Sequence, residues 1–163
     1  MSTDVSELAL AAKLGECLLA KQWYCAVAES CTGGKLSAAI TDVAGSSQWF
    51  DRGFITYTNQ SKMDMLGVRS EILTSHGAVS EPTVRAMAEG ALVSSSVDIT
   101  CAISGVAGPG GGSVEKPVGL VWFAWSVRGG LTEAMSYCFK GGRFAIRLQA
   151  VSAALNGLIL RCT

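Results

Sequence analysis

A serine and a lysine, each in a turn beside an apolar run, are the residues of this chain best suited to covalent chemistry without a cofactor. Ser30 lies in Glu29-Ser30-Cys31-Thr32-Gly33-Gly34, between a short apolar run and a helical pattern. A turn from strand to helix exposes its tip and aims free first-turn N–H groups at it. A serine there can be a nucleophile with an oxyanion site beside it, or simply a helix N-cap followed by a packing pair of glycines. Cys31 competes with it, because a thiol at a helix N-terminus is shifted toward thiolate, although no histidine partner stands near it in sequence. Lys62 closes the segment Tyr57-Thr58-Asn59-Gln60-Ser61-Lys62. An ordinary lysine titrates near ~10.4, so a base working near neutrality needs a downward shift of about three units, or roughly 4 kcal/mol. Burial and a helix N-terminus both push that way. The plain alternative is a solvated lysine. Tyr57 can hydrogen-bond either partner, or serve as a core tyrosine at a strand end.

Two further segments can hold an anionic ligand. Ser104-Gly105-Val106-Ala107-Gly108-Pro109-Gly110-Gly111-Gly112-Ser113 lacks the Gly-Lys-Ser/Thr ending of a P-loop and does not fit the dinucleotide-binding spacing. Its N–H groups can still cradle a phosphate or an oxyanion, unless the loop is merely flexible. Arg143 follows two glycines at a helix start and is either a phosphate contact or an exposed arginine. Thr32, Gly33 and Gly34 are the expected substrate-facing part of the serine turn. Ser104, Gly105, Gly108 and Gly111 are the expected part of the glycine loop.

The elements around these segments follow from pattern. Val5 to Lys21 places Leu8, Ala11, Ala12, Leu14 and Leu18 on one helical stripe. Tyr24 to Ala28 and Arg52 to Tyr57 read as strands, and Lys35 to Val43 reads as a helix broken by Gly45-Ser46-Ser47. Thr58 or Asn59 caps a helix from about Gln60 to Leu66, ended by Gly67. A short segment leads through His76-Gly77-Ala78-Val79 to Ser80, which caps a helix running to about Ser94, with Pro82 tolerated in its first turn. Ile99 to Ser104 is a third strand, and Gly119 to Val127 and Thr132 to Phe139 form an antiparallel hairpin. Arg143 to Leu160 is the last helix. Alternating strands and helices followed by a hairpin predict one mixed sheet with helices on both faces. Ligands of such sheets sit beyond the C-terminal ends of the parallel strands, where the loops after Ala28, Tyr57 and Ser104 lie.

Composition sets the class. The 163 residues suit one domain, 1–163, and 49% apolar against 16% charged residues argues for a packed globule. Thirteen basic and thirteen acidic residues cancel, so neither nucleic acid nor a membrane is an expected partner. The start, MSTDVSELAL, has no signal-peptide pattern, and the six cysteines form no CxxC pair. Free thiols fit a cytoplasmic setting. One histidine, His76, cannot build a multi-histidine metal site, so no metal and no cofactor are expected.

AESCTGG (28–34), TDVAGSSQWFDRGFITYTNQSK (41–62), LGV (66–68), HGAVSE (76–81) and ISGVAGPGGGSVEKPVG (103–119) together resemble the CinA C-terminal domain family. They occur in the family's order and cover most of the chain. The resemblance implies a three-layer α/β/α sandwich with a mixed, mainly parallel five-stranded sheet. It implies a stand-alone amidohydrolase that converts nicotinamide mononucleotide to nicotinic acid mononucleotide and ammonia, so the expected partner is a small nucleotide and the expected assembly a homo-oligomer. It assigns Ser30 as nucleophile, Lys62 as general base and Tyr57 as an auxiliary tyrosine. Many relatives carry an acidic or amide residue where Gly142 stands, which bears on Arg143. The N-terminal domain of some members, and any activity belonging to it, is not expected here. The rival reading is a non-catalytic nucleotide-binding or regulatory module linked to competence or DNA damage. A third is another amide or nucleotide hydrolase on the same scaffold.

Overall fold

The computed structural model describes residues 6–163. The start of the first predicted helix at Val5 therefore lies outside the described residues. The elements in chain order are α1 (Glu7–Lys21), β1 (Cys25–Glu29), α2 (Lys35–Thr41), β2 (Phe50–Ile55), α3 (Asn59–Leu66), α4 (Ser70–His76), α5 (Glu81–Val93), β3 (Ile99–Gly105), β4 (Leu120–Val127), β5 (Thr132–Cys138) and α6 (Arg143–Cys162). A single 3-10 turn, Ser46–Gln48, precedes β2. The five strands form one sheet in the order β2-β1-β3-β4-β5. β1 pairs in parallel with β2 and β3, β4 runs antiparallel to β3, and β5 is antiparallel to β4. Four of the five strands thus point the same way. With helices on both faces this is the expected α/β/α sandwich, mixed and mainly parallel.

Period-two alternation along the strands makes both faces apolar. Cys25, Val27, Cys101, Ile103, Phe123 and Trp125 join the core under α1, α2 and α6. Ala26, Ala28, Ala102 and Ala124 turn the other way, toward α3, α4 and α5. The central strand β1 is buried along its whole length, which is why its sequence is a continuous apolar run rather than an alternating one. In α1 the core positions are Leu10, Ala11, Leu14 and Leu18; Leu8, placed on the stripe by sequence pattern, is exposed. Among the described residues, no helix is long and apolar enough to cross a membrane.

Two local features set the height of the site. α3 begins with a reciprocal cap: Thr58 Oγ1 accepts from the Ser61 N–H at 3.1 Å, and Ser61 Oγ accepts from the Thr58 N–H at 3.1 Å. Its far end rests on α5 at Gly90, where a Cβ would collide with the Leu66 carbonyl oxygen. A backbone oxygen at a helix end cannot swing aside as a side chain can. Gly90→Ala is therefore expected to lower stability by about 3 kcal/mol. Chemical denaturation, compared with Ala86→Gly on the same helix, checks this.

Candidate active site

The C-terminal ends of β1, β2 and β3 meet at one cleft of about 330 Å³. Ser30 follows β1 directly. Its N–H donates to the Ile103 carbonyl at 3.0 Å, so the nucleophile candidate is tied to the neighbouring strand β3. Thr56 follows β2, and its N–H donates to the Glu29 carbonyl at 2.8 Å, extending the β1–β2 ladder by one rung. Lys62, on the second turn of α3, reaches over this rim. Its Nζ lies 2.9 Å from Ser30 Oγ and 2.8 Å from the Thr56 carbonyl oxygen. Residues 32 positions apart in sequence are thus in hydrogen-bond contact.

Lys62 is 1% exposed. Among the described residues no carboxylate pairs with it; the four ion pairs are Arg52–Asp51, Arg69–Glu71, Arg85–Glu81 and Arg161–Glu133. Burial without a counter-ion disfavours the ammonium and lowers its pKa to about 8, with Cys31 acting weakly the other way. A substantial neutral fraction therefore exists near physiological pH. The neutral amine can accept from the serine hydroxyl while still donating to the Thr56 carbonyl.

Cys31 behaves otherwise than the helix-terminus argument suggests. Burial pushes its thiol up to about 11, outweighing the lowering by its own backbone N–H and by Arg147. It lines the cleft as a thiol, not a thiolate.

The remaining candidates divide. Ser104, Gly105, Gly108 and Gly111 line the cleft together with Tyr57 and Arg143. Tyr57 is 59% exposed and lies beyond β2, which ends two residues earlier than its sequence suggests. Its hydroxyl is paired with neither Ser30 nor Lys62; it accepts from Arg143 Nη2 at 3.1 Å. Arg143 Nη1 donates to the Gly108 carbonyl at 2.8 Å, so this arginine links the tyrosine to the glycine loop at the cleft mouth. Thr32, Gly33 and Gly34 are not part of the wall. The Thr32 hydroxyl donates to Glu29 Oε1 at 2.7 Å, and the Gly34 N–H donates to the same oxygen at 3.2 Å. Gly33 and Gly34 have φ of 55° and 102°, so left-handed backbone explains this glycine pair better than ligand approach.

Sequence reasoning missed two parts of the site. Ala78 and Val79 form an apolar wall between α4 and α5; the signal was an apolar pair just ahead of the Ser80 cap. Glu29 is fully buried and ties down the start of α2. An acidic residue ahead of a helix start was visible, but it stands upstream of the usual capping position.

The fold and the cleft define an α/β/α protein with a serine–lysine pair, an arrangement suited to nucleophilic attack on a carbonyl carbon. The chain belongs to the CinA C-terminal domain family, whose model matches residues 7–162. It is 51% identical over 156 residues to nicotinamide-nucleotide amidohydrolase PncC of Escherichia coli strain K12, covering 96% of this chain and 94% of that one. A CinA-like protein of Akkermansia muciniphila is 50% identical over 144 residues, which are 88% of this chain but 35% of that longer protein. Among solved structures, competence/damage inducible protein CihA from Agrobacterium tumefaciens superposes with a TM-score of 0.93 at 46% identity, covering 98% of both chains.

Proposed function

We propose that the protein is a cytoplasmic amidohydrolase that deamidates nicotinamide mononucleotide, acting as a single domain through Ser30 and Lys62. The observation that carries the mechanism is the enclosed Lys62 amine, without a carboxylate partner, 2.9 Å from Ser30 Oγ. The substrate follows from the PncC relatives, which match over nearly the whole chain.

Neutral Lys62 removes the Ser30 proton as Oγ attacks the carboxamide carbon. The C–O bond forms and the carbonyl π pair moves onto oxygen. N–H donors of the serine turn or the glycine loop hold that oxyanion, each worth about 3 kcal/mol. The protonated lysine then gives its proton to the departing nitrogen, and ammonia leaves. Water, deprotonated by the same amine, hydrolyses the acyl-serine to nicotinic acid mononucleotide and free Ser30. Ala78 and Val79 offer an apolar wall for a pyridine ring, while Arg143 and Tyr57 at the mouth suit a phosphate.

The test is ammonia release from nicotinamide mononucleotide, with free nicotinamide and the dinucleotide as controls. Turnover of the mononucleotide in the presence of chelator is expected. No release from any of the three would sink the amidase reading and favour a binding module.

A further inference from the structure

The serine turn is gripped from two sides by residues that do not reach the serine hydroxyl. On one side is the Glu29 carboxylate, fully buried. Its Oε1 accepts from Thr32 Oγ1 at 2.7 Å, the Gly34 N–H at 3.2 Å and the Leu36 N–H at 2.9 Å. Its Oε2 accepts from the Ser37 N–H at 3.0 Å and Ser37 Oγ at 2.7 Å. On the other side is Arg147, one turn into α6. Its Nε donates to the Cys31 carbonyl at 3.0 Å and its Nη2 to the Thr32 carbonyl at 2.9 Å. The carboxylate thus collects the donors of the turn and the guanidinium collects its acceptors.

We infer that Glu29 and Arg147 are positioning residues that act as a two-sided clamp on the nucleophile turn. The inference rests on the amidase reading for its kinetic consequence, though not for its geometry. Three observations carry it. The Ser30 N–H donates to Ile103, and the Gly33 N–H to the Ser30 carbonyl at 3.0 Å, so those two amides are engaged within the protein. The Cys31 N–H has no such acceptor among the described residues, and Cys31 lines the cleft, which leaves that amide available to an oxyanion. Finally, neither clamp residue is part of the cleft wall or an ion-pair partner of Lys62. Removing the clamp lets the turn relax, which alters where Ser30 Oγ and the Cys31 N–H sit without altering what binds the nucleotide. The guanidinium matters for its fork: two donors in one plane meet two successive carbonyls, which a lysine ammonium cannot do at once.

Arg147→Met and Arg147→Lys make the test, because Arg147 is only partly buried and its loss leaves carbonyls that water can reach. Both are expected to lower kcat by about 100-fold, the usual penalty for misplacing reacting groups by an ångström. KM for nicotinamide mononucleotide and the midpoint of the pH–rate profile should not move, since substrate contacts and the Lys62 surroundings are intact. Backbone amides from Cys31 to Ser37 should exchange with deuterium at least about tenfold faster in Arg147→Met, at unchanged global stability. A raised KM with kcat intact would make Arg147 a substrate contact and overturn the inference. Unchanged exchange in this segment would overturn it as well. Glu29→Gln, which sets an amide nitrogen against the Ser37 N–H, should give the same kinetic pattern; a shifted pH midpoint there would make Glu29 an electrostatic partner of Lys62 instead. Should the wild-type protein release no ammonia, the amidase reading fails, while the exchange measurement still decides whether the clamp exists.

Discussion

Ser30→Ala is expected to remove ammonia release from nicotinamide mononucleotide by at least about 10⁴-fold, as loss of a nucleophile does in serine hydrolases. The fold should survive. The contacts that Ser30 contributes to the scaffold are backbone ones, from its N–H to Ile103 and from Gly33 to its carbonyl, and alanine keeps both. Binding of the nucleotide, read by calorimetry on the inactive variant, should persist, because the rest of the cleft wall is untouched. Cys31→Ala is the matched control. Its thiol lines the same cleft but is held protonated, with its pKa pushed up to about 11 by burial. It should keep most of the turnover. Near-normal activity in a folded Ser30→Ala protein, or equal loss in both variants, would remove the serine from its assigned role and return the thiol to consideration.

The contrast between these two neighbours shows where sequence reasoning reached its limit. A cysteine at a helix start reads as activated, because the dipole argument is local. The desolvation that overrides it comes from packing of the whole sandwich and has no local signature. The same division holds elsewhere. β1 and β3 were legible because CAVA and ITCAIS are continuous apolar runs flanked by turn residues. The start of α3 was legible because Thr58 and Ser61 carry the cap in four residues. α4 was not: it is seven residues long and contributes one fully buried side chain, Leu73, too little for a visible period. Leu8 fitted the α1 stripe as well as Leu10 does, and only the position of α6 and the sheet decides between them.

The site divides along the same line. Ser30 and Lys62 each sat in a recognisable turn, and their meeting followed from both turns leaving parallel strand ends. Tyr57 was assigned to that pair by resemblance, yet its hydroxyl meets Arg143, 86 positions away. The Arg147 contacts to the serine turn span 116 and 115 positions. Nothing in a helix that reads RFAIRLQ distinguishes such an arginine from a solvated one, because its function lies in two carbonyl oxygens on another layer.

Lys62→Met should separate catalysis from stability in opposite directions. Turnover is expected to fall by at least about 10³-fold, since no other base stands beside Ser30. Lys62→Arg should fall as far, because guanidinium stays protonated in proteins. Stability should respond to pH in the wild type but not in Lys62→Met. The folded-state pKa is lowered from 10.5 to about 8 by burial, so below pH 8 the folded protein carries the full penalty of an enclosed ammonium. Between pH 8 and 10.5 the unfolded chain holds a proton that the folded protein has released. More protons bound to the unfolded state means stability rises with pH. At about 1.4 kcal/mol per unit, wild type should gain roughly 3 kcal/mol relative to Lys62→Met across this window, with other titrations cancelling in the difference. The absolute stability of the variant also reflects the lost hydrogen bond to Thr56, which shifts the whole curve without changing its slope. The rate should rise with pH and level off above about 8, as the neutral amine becomes the dominant form. Urea titrations of both proteins at pH 7, 9 and 10.5, beside the pH–rate profile, check this together. A stability difference that stays flat over the window, with a rate midpoint well away from 8, would show that Lys62 is an ordinary charged lysine and that the base lies elsewhere.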